Sequence, residues 1–305
     1  MNCAPMIKEI GRGAKGARSL ERDAAATLFG GMLDGSVGDL ELGAILIALR
    51  IKSESLDELL GFKQAMDTQG AQVVVPDGPR CVVLPSYNGA RRQPNLMPLV
   101  AMLLARDGVP VLIQGRHDFE SRVSPFELLA ALGITPASDT AEAGAQLASR
   151  HLTCLQVSTL LPGLDRLLSL RPRMGVRSSA HTMAKLLDPC RGRSVRVVAV
   201  THPEYLERMD EFLRADGGHA MLLRGTEGEI YANPRRCPEM KIYADGASRI
   251  GVAGEDGGAP PLAGLPDSPS IADNVAAIRA MLDGNQPVPA PIVAQVRALK
   301  ALAQA

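Results

Sequence analysis

The sequence predicts an α/β protein in which a small all-helical domain precedes a domain built on a mainly parallel sheet. Three observations predict it. Residues 19–70 carry helical periodicity and no strand signal. From residue 81 onward, short apolar runs alternate with helical segments, the rhythm of parallel strands covered on both faces. Residues 160–187 then turn helical again between two strands, so the helical domain is expected to be residues 1–75 completed by helices within 160–188. The α/β domain takes the remainder of 76–305.

The elements follow in order. Asp39 is placed to cap a helix running to Leu49. Ser55-Leu56-Asp57-Glu58 is a capping box, with Leu59, Leu60, Phe62 and Met66 on the apolar side of the helix it opens. Pro76-Asp77-Gly78-Pro79 punctuates the chain as a linker. Residues 81–84 form a short buried strand, 96–105 a helix and 109–113 a second strand. Ser124-Pro125-Phe126-Glu127 is another capping box with proline at the first helical position, opening a helix to Leu132. A helix starts at Asp139, and strands follow at 152–157, 195–200 and 220–223, with a helix over 203–214. Residues 251–269 are rich in Gly and Pro and predict a loose surface loop. Helices over 270–282 and 290–303 close the chain.

Composition limits the function classes. Apolar residues make up 46% and charged residues 22%, as in a globular rather than a disordered chain. Aromatics are 3% with no Trp, so the core must be aliphatic. Formal net charge is zero, which excludes a whole-protein basic field but leaves room for a local patch. Cys3, Cys81, Cys154, Cys190 and Cys237 lie far apart and are odd in number, which argues against both a metal cluster and a disulfide framework. They are expected to be reduced thiols of a cytoplasmic protein. Residues 1–15 lack the apolar stretch of a signal peptide, and no apolar run is long enough to cross a bilayer, so no membrane partner is expected.

The stretch LPSYNGARRQPNLMP joins a strand to a helix, where many α/β enzymes hold phosphate. A backbone cradle needs several glycines, and here there is only Gly89. Arg91 and Arg92 can contact phosphates through their side chains, and Tyr87 and Asn88 can stack on or hydrogen-bond to a base. An ordinary Asn-Gly turn beside two solvated arginines is the alternative. Arg171, Arg173, Arg177, Lys185, Arg191, Arg193 and Arg196 cluster with only Asp188 as an acid, predicting a basic face; a solvated surface matched by distant acids is the alternative. Lys8, Arg12, Lys15, Arg18 and Arg22 form a glycine-interrupted basic run, either a flexible arm or a solvated terminus. His202 is expected to cap the helix that Pro203 begins, and His181 lies where it could touch an anion. Glu227 and Glu229 are two acids that could gather a cation, but Ile230 and Tyr231 follow them and a metal site there is not favoured.

The order of these features resembles the anthranilate phosphoribosyltransferase fold, within the glycosyltransferase family 3 group. A helical domain, an α/β domain, His202-Pro203-Glu204 and Gly225-Thr226-Glu227-Gly228 follow one another along nearly the whole chain. Lys8-Glu9-Ile10-Gly11-Arg12-Gly13, Pro85-Ser86-Tyr87-Asn88-Gly89-Ala90-Arg91, Met174-Gly175-Val176-Arg177 and Gly225-Thr226-Glu227-Gly228-Glu229 resemble its YbiB-like branch. The resemblance implies an α/β domain of nucleoside phosphorylase/phosphoribosyltransferase type, a homodimer, and binding of single- or double-stranded nucleic acid with little sequence preference. It also exposes departures from the enzymes. Their Gly-Thr-Gly-Gly-Asp loop is replaced by Pro85-Ser86-Tyr87-Asn88-Gly89. Their Lys-His-Gly-Asn-Arg motif becomes Ile113-Gln114-Gly115-Arg116-His117, keeping only the glycine. Their magnesium-binding Asp-Glu pair becomes Ile230-Tyr231, which cannot hold a hard cation. Arg177 matches an arginine near the enzymes' aromatic-acid site.

The expectation is therefore a non-enzymatic, DNA- or RNA-binding protein on a degenerate transferase fold, with no catalytic residues, metal or cofactor. Lys8, Arg12, Lys15, Tyr87, Asn88, Arg91, Arg92, Arg171, Arg173 and Arg177 are its binding residues. The competing expectations are an active phosphoribosyl or other glycosyl transferase with an altered substrate, and a regulatory protein whose basic surface meets an acidic partner.

Overall fold

Six consecutive buried residues make the first strand, β1 (Cys81–Ser86), as a strand covered on both faces requires. β2 (Val111–Gly115), β3 (Leu152–Gln156), β4 (Ser194–Val200) and β5 (His219–Arg224) follow, and all four are buried along most of their length. β6 (Met240–Ala244) and β7 (Ala247–Val252) complete a seven-stranded sheet of order β3-β2-β1-β4-β5-β6-β7. The first five strands pair in parallel, and β6 and β7 pair antiparallel at one edge. The sheet is mixed and mostly parallel, as expected. The hairpin edge is not among the expected elements, and β7 (Ala247–Val252) takes Gly251 and Val252 from the start of the expected loose loop. The computed structural model describes residues 1–13, 15–116, 121–267 and 269–305.

The chain divides into two compact units: Met1–Ala71 with Val157–Pro189, and Gln72–Gln156 with Cys190–Ala305. In the helical unit, Arg22–Asp34 packs against Leu56–Gln69, with Phe29 and Phe62 stacked at 4.6 Å between ring centroids. The capping box at Ser55 forms, and its Glu58 does more than cap. Glu58 is fully buried and accepts from Leu20 N at 2.9 Å, Ser55 N at 2.8 Å and Lys52 Nζ at 2.6 Å, which fixes the entry of two segments at once. Asp39 is the first residue of Asp39–Lys52 rather than its cap; the cap position is Gly38, with no side-chain bond.

In the sheet unit, the aliphatic core runs through Val82, Leu84, Val100, Ile113, Val197 and Leu223, as the scarcity of aromatics requires. The capping box at Ser124 forms, and Asp139 accepts from Glu142 N at 2.8 Å to start Thr140–Arg150. Pro203 opens Pro203–Asp216, but His202 makes no side-chain capping bond there. β1 has β2 on one side and β4 on the other, so the chain leaves β1 in both sheet directions. The carboxyl ends of β1 and β4 thus frame a topological switch point, where α/β sheets place ligands. Among the described residues, no helix is long and apolar enough to cross a membrane.

Candidate phosphate-loop site

Residues 86–92 leave β1 at that switch point. Ser86 is held against β2 by pairing with Gly115. A Cβ on Gly115 would lie 1.9 Å from Ser86 O, so glycine is required there by close backbone approach rather than by chemistry. The loop is pinned on its other side by a two-way bridge, Ala90 N to Val123 O at 2.9 Å and Val123 N to Ala90 O at 2.8 Å. Arg122 Nη1 also donates to Asn88 O at 3.2 Å.

The donors of this loop are already engaged. Glu229, fully buried, accepts from Ser86 Oγ at 2.7 Å, Asn88 N at 3.1 Å and Gly89 N at 2.9 Å. Glu227 accepts from Arg91 N at 2.5 Å through Oε2 and from Arg92 N at 3.0 Å through Oε1. Two carboxylates therefore sit where the amides of a phosphate loop would meet phosphate oxygens. Both come from the turn after β5, closed by Glu229 N donating to Thr226 O at 2.9 Å. Its central residues have positive φ, 54° at Glu227 and 90° at Gly228. Glycine accepts that geometry freely, while Glu227 holds it at a cost of about 1 kcal/mol or more. Asn88 Nδ2 laces loop to turn by donating to Gly228 O at 3.0 Å.

The side chains expected to contact a ligand divide sharply. Arg91 and Arg92 are exposed, and their guanidiniums have no hydrogen-bond or ion-pair partner among the described residues. Tyr87 and Asn88 are buried, at 6% and 4% exposure. The Tyr87 hydroxyl donates to Gln114 Oε1, so the ring is a core element of the loop and not the stacking platform expected. Glu227 lines an open cavity of about 550 Å³ together with Arg224, Glu207, Lys241 and Arg236. Arg224, at the end of β5, is exposed and was not among the expected binding residues. In the same cavity, burial raises the pKa of Asp210, yet hydrogen bonds from Lys241, Tyr243 and Arg214 outweigh it and hold the carboxyl below its ordinary range.

The segment 171–196 is divided between the two units. Arg171, Arg173 and Arg177 belong to the helical unit, and Arg191, Arg193 and Arg196 to the sheet unit. Arg196 is buried in a pair with Asp216, and Arg193 holds Pro76 O at 3.0 Å and Gly78 O at 2.9 Å. Both are structural. In the helical unit, Arg173 and Arg177 are exposed and Arg171 half-buried. His181 Nδ1 accepts from Ser178 N at 3.3 Å, capping its own helix. The N-terminal run is folded rather than a loose arm. Lys8 lies on the helix Ala4–Ile10, Arg18 N donates to Glu9 O at 2.9 Å, and Leu20 N donates to Glu58. Lys8 and Lys15 are exposed, whereas Arg12 is paired with Glu9 at 3.0 Å.

The helical bundle domain of the glycosyl transferase family matches residues 4–70. The uncharacterized protein YbiB of Escherichia coli K12 is 42% identical over 298 residues, covering 97% of this chain and 92% of that one. The chain belongs to the YbiB-like branch of the anthranilate phosphoribosyltransferase fold. Enzymes of the wider group are more distant. The anthranilate phosphoribosyltransferase of Beijerinckia indica is 26% identical over 291 residues, covering 92% of this chain and 82% of that one. The Thermus thermophilus enzyme superposes with a TM-score of 0.76 at 21% identity, covering 97% of this chain and 87% of that one. The Saccharomyces cerevisiae enzyme, solved in complex with PRPP and Mg, gives 0.71 at 12% identity over 98% and 88% of the two chains.

A pyrophosphate with its magnesium does not fit the donor set of this branch member. The loop amides of Asn88, Gly89, Arg91 and Arg92 are taken by carboxylates. Glu227 and Glu229 do converge, but on N–H and O–H donors, which are the wrong partners for a cation's ligands. Ile230 and Tyr231 are both buried, and Tyr231 donates to Pro94 O at 2.8 Å. Burial pushes the Tyr231 phenol up, reinforced by Glu229 and then Glu227. Among the described residues no group of His, Cys, Asp and Glu gathers at metal-binding distance. His117, named in the motif comparison, lies outside the described residues.

Proposed function

We propose that this protein binds nucleic acid through basic side chains on a phosphoribosyltransferase fold, without catalysing transfer. One observation carries the reading. Residues 86–92 are inverted relative to a phosphate cradle, with backbone donors held by Glu227 and Glu229 while Arg91 and Arg92 are exposed, without a side-chain partner among the described residues. Guanidiniums displayed this way suit phosphodiesters, which they bind by charge and bidentate geometry without reading sequence. Lys8, Lys15, Arg173 and Arg177 are further exposed basic residues of the helical unit. With Tyr87 inside the core, base stacking contributes little, so sequence preference is weak.

The protein acts as a homodimer in this reading. Leu40, Ala44, Ile47 and Ile51 form an exposed stripe along Asp39–Lys52 at spacings of four, three and four, which is the seam of a helix that packs on another helix.

The test is the double variant Arg91→Ala/Arg92→Ala. If each arginine meets one phosphate of a single-stranded oligonucleotide, the log–log salt slope becomes shallower by about 1.4, that is about 0.7 per lost contact. An unchanged slope and affinity would remove the loop from the binding surface.

A further inference from the structure

We infer that Glu227 is a displaceable internal cap on a second phosphate position, formed by the backbone N–H groups of Arg91 and Arg92; the ligand class rests on the nucleic-acid reading above. The two carboxylates of the turn are not equivalent. Glu229 is sealed in the core, accepts from Ser86 Oγ, Asn88 N and Gly89 N, and behaves as part of the scaffold. Glu227 is only partly buried, sits at φ 54°, and closes just two amides, both on exposed residues. An L-residue in the left-handed region is held there by its surroundings, here the turn closed by Glu229 N on Thr226 O together with the pair of bonds to Arg91 and Arg92.

The cap faces a cavity of mixed charge, where Arg224, Arg236 and Lys241 stand among Glu207, Asp210, Glu239 and Glu255. Two adjacent amides point at one carboxylate, on residues whose guanidiniums are exposed and have no partner among the described residues. Exposed Arg224 lines the same cavity as Glu227 and brings a third. A phosphodiester oxygen entering from that cavity replaces the carboxylate on the amides, and Glu227 swings into solvent as the turn relaxes. Glu227 thus competes with the ligand and weakens binding at this position. It acts as a brake on affinity, whereas Arg91 and Arg92 supply the attraction.

The test compares Glu227→Gly, which removes the carboxylate and suits the positive φ, with Glu207→Gln. Glu207 lines the same cavity but touches neither amide, so it reports the generic effect of removing a negative charge. Fluorescence anisotropy with a single-stranded oligonucleotide should show Glu227→Gly binding about fivefold tighter. Glu207→Gln should match the native chain. Inorganic pyrophosphate should move the ¹H–¹⁵N resonances of Arg91 and Arg92 in Glu227→Gly and leave them in place in the native chain. Equal effects of the two variants, or amides unmoved by pyrophosphate in Glu227→Gly, would overturn the cap. If neither form binds the oligonucleotide but pyrophosphate moves the amides in Glu227→Gly alone, the cap stands and the nucleic-acid reading fails.

Discussion

Glu229 carries most of the structural burden of the loop. Its carboxylate accepts from Gly89 N and Asn88 N, and it also holds Ser86 Oγ. Glu229→Ala leaves buried donors without partners, which costs about 1–3 kcal/mol for each such group. Urea denaturation should show a loss of roughly 3 kcal/mol, whereas Glu227→Gly should lie near the native value because it also relieves strain. His219 on β5 gives a second residue-scale prediction. Burial, followed by the nearby Arg80 charge, lowers its pKa from 6.5, with Asp245 opposing. Well above pH 6.5 the imidazole is neutral in both folded and unfolded chains and adds no pH dependence. As pH falls through 6.5 the unfolded chain takes up a proton that the folded chain resists, so stability declines. The melting temperature should fall between pH 7.5 and 5.5, and His219→Gln should shrink that fall; an identical profile in the variant would refute the assignment. The role of Glu229 was invisible in the sequence because its partners lie some 140 residues away, and only the fold brings the two loops together.

Among the elements, Asp39–Lys52 carries the prediction that bears on assembly. Leu40 is 83% exposed, Ile51 68% and Ile47 38%, which leaves a long apolar stripe in water unless a partner covers it. Ile47→Glu with Ile51→Glu should yield a monomer by light scattering from a native dimer, with the helical content intact because neither side chain serves the core. A native chain that is already monomeric at micromolar concentration would refute the dimer. Elements governed by local chemistry were the ones the sequence disclosed. The boxes at Ser55 and Ser124 form as written, because a cap is settled within four residues. β1 was legible as an unbroken apolar run bounded by polar loops, although it extends two residues further, to Ser86. The β6–β7 hairpin was missed despite a signal in plain view. Asp245-Gly246 stands between the two strands with φ of 47° and 84°, the two-residue turn that hairpins favour. Lys241, Ser248 and Arg249 dilute the apolar alternation around it, so periodicity alone could not find it.

At the scale of the whole molecule, a formal net charge of zero means that any attraction for nucleic acid comes from where charges are displayed, not from their sum. Arg193 and Arg196 are spent on carbonyls and a carboxylate within the fold, while Arg12 is exposed and pairs with Glu9 at the surface. Arg91, Arg92, Lys8, Lys15 and Arg173 face solvent. The sequence named most of the displayed residues but could not separate them from the structural ones, because a basic run looks alike in either role until its partners are known. The central claim is that the displayed charges bind phosphates while the inverted loop no longer serves a phosphoribosyl donor. The most direct measurement is fluorescence anisotropy of a labelled single-stranded oligonucleotide over a salt series, repeated with phosphoribosyl pyrophosphate and magnesium as competitors. Binding whose logarithm falls linearly with log salt, at about −0.7 per phosphate contact, and which ignores the competitors, is the predicted result. No binding at low salt, or displacement by the competitors at low concentration, would contradict the account and return the small-molecule site to first place.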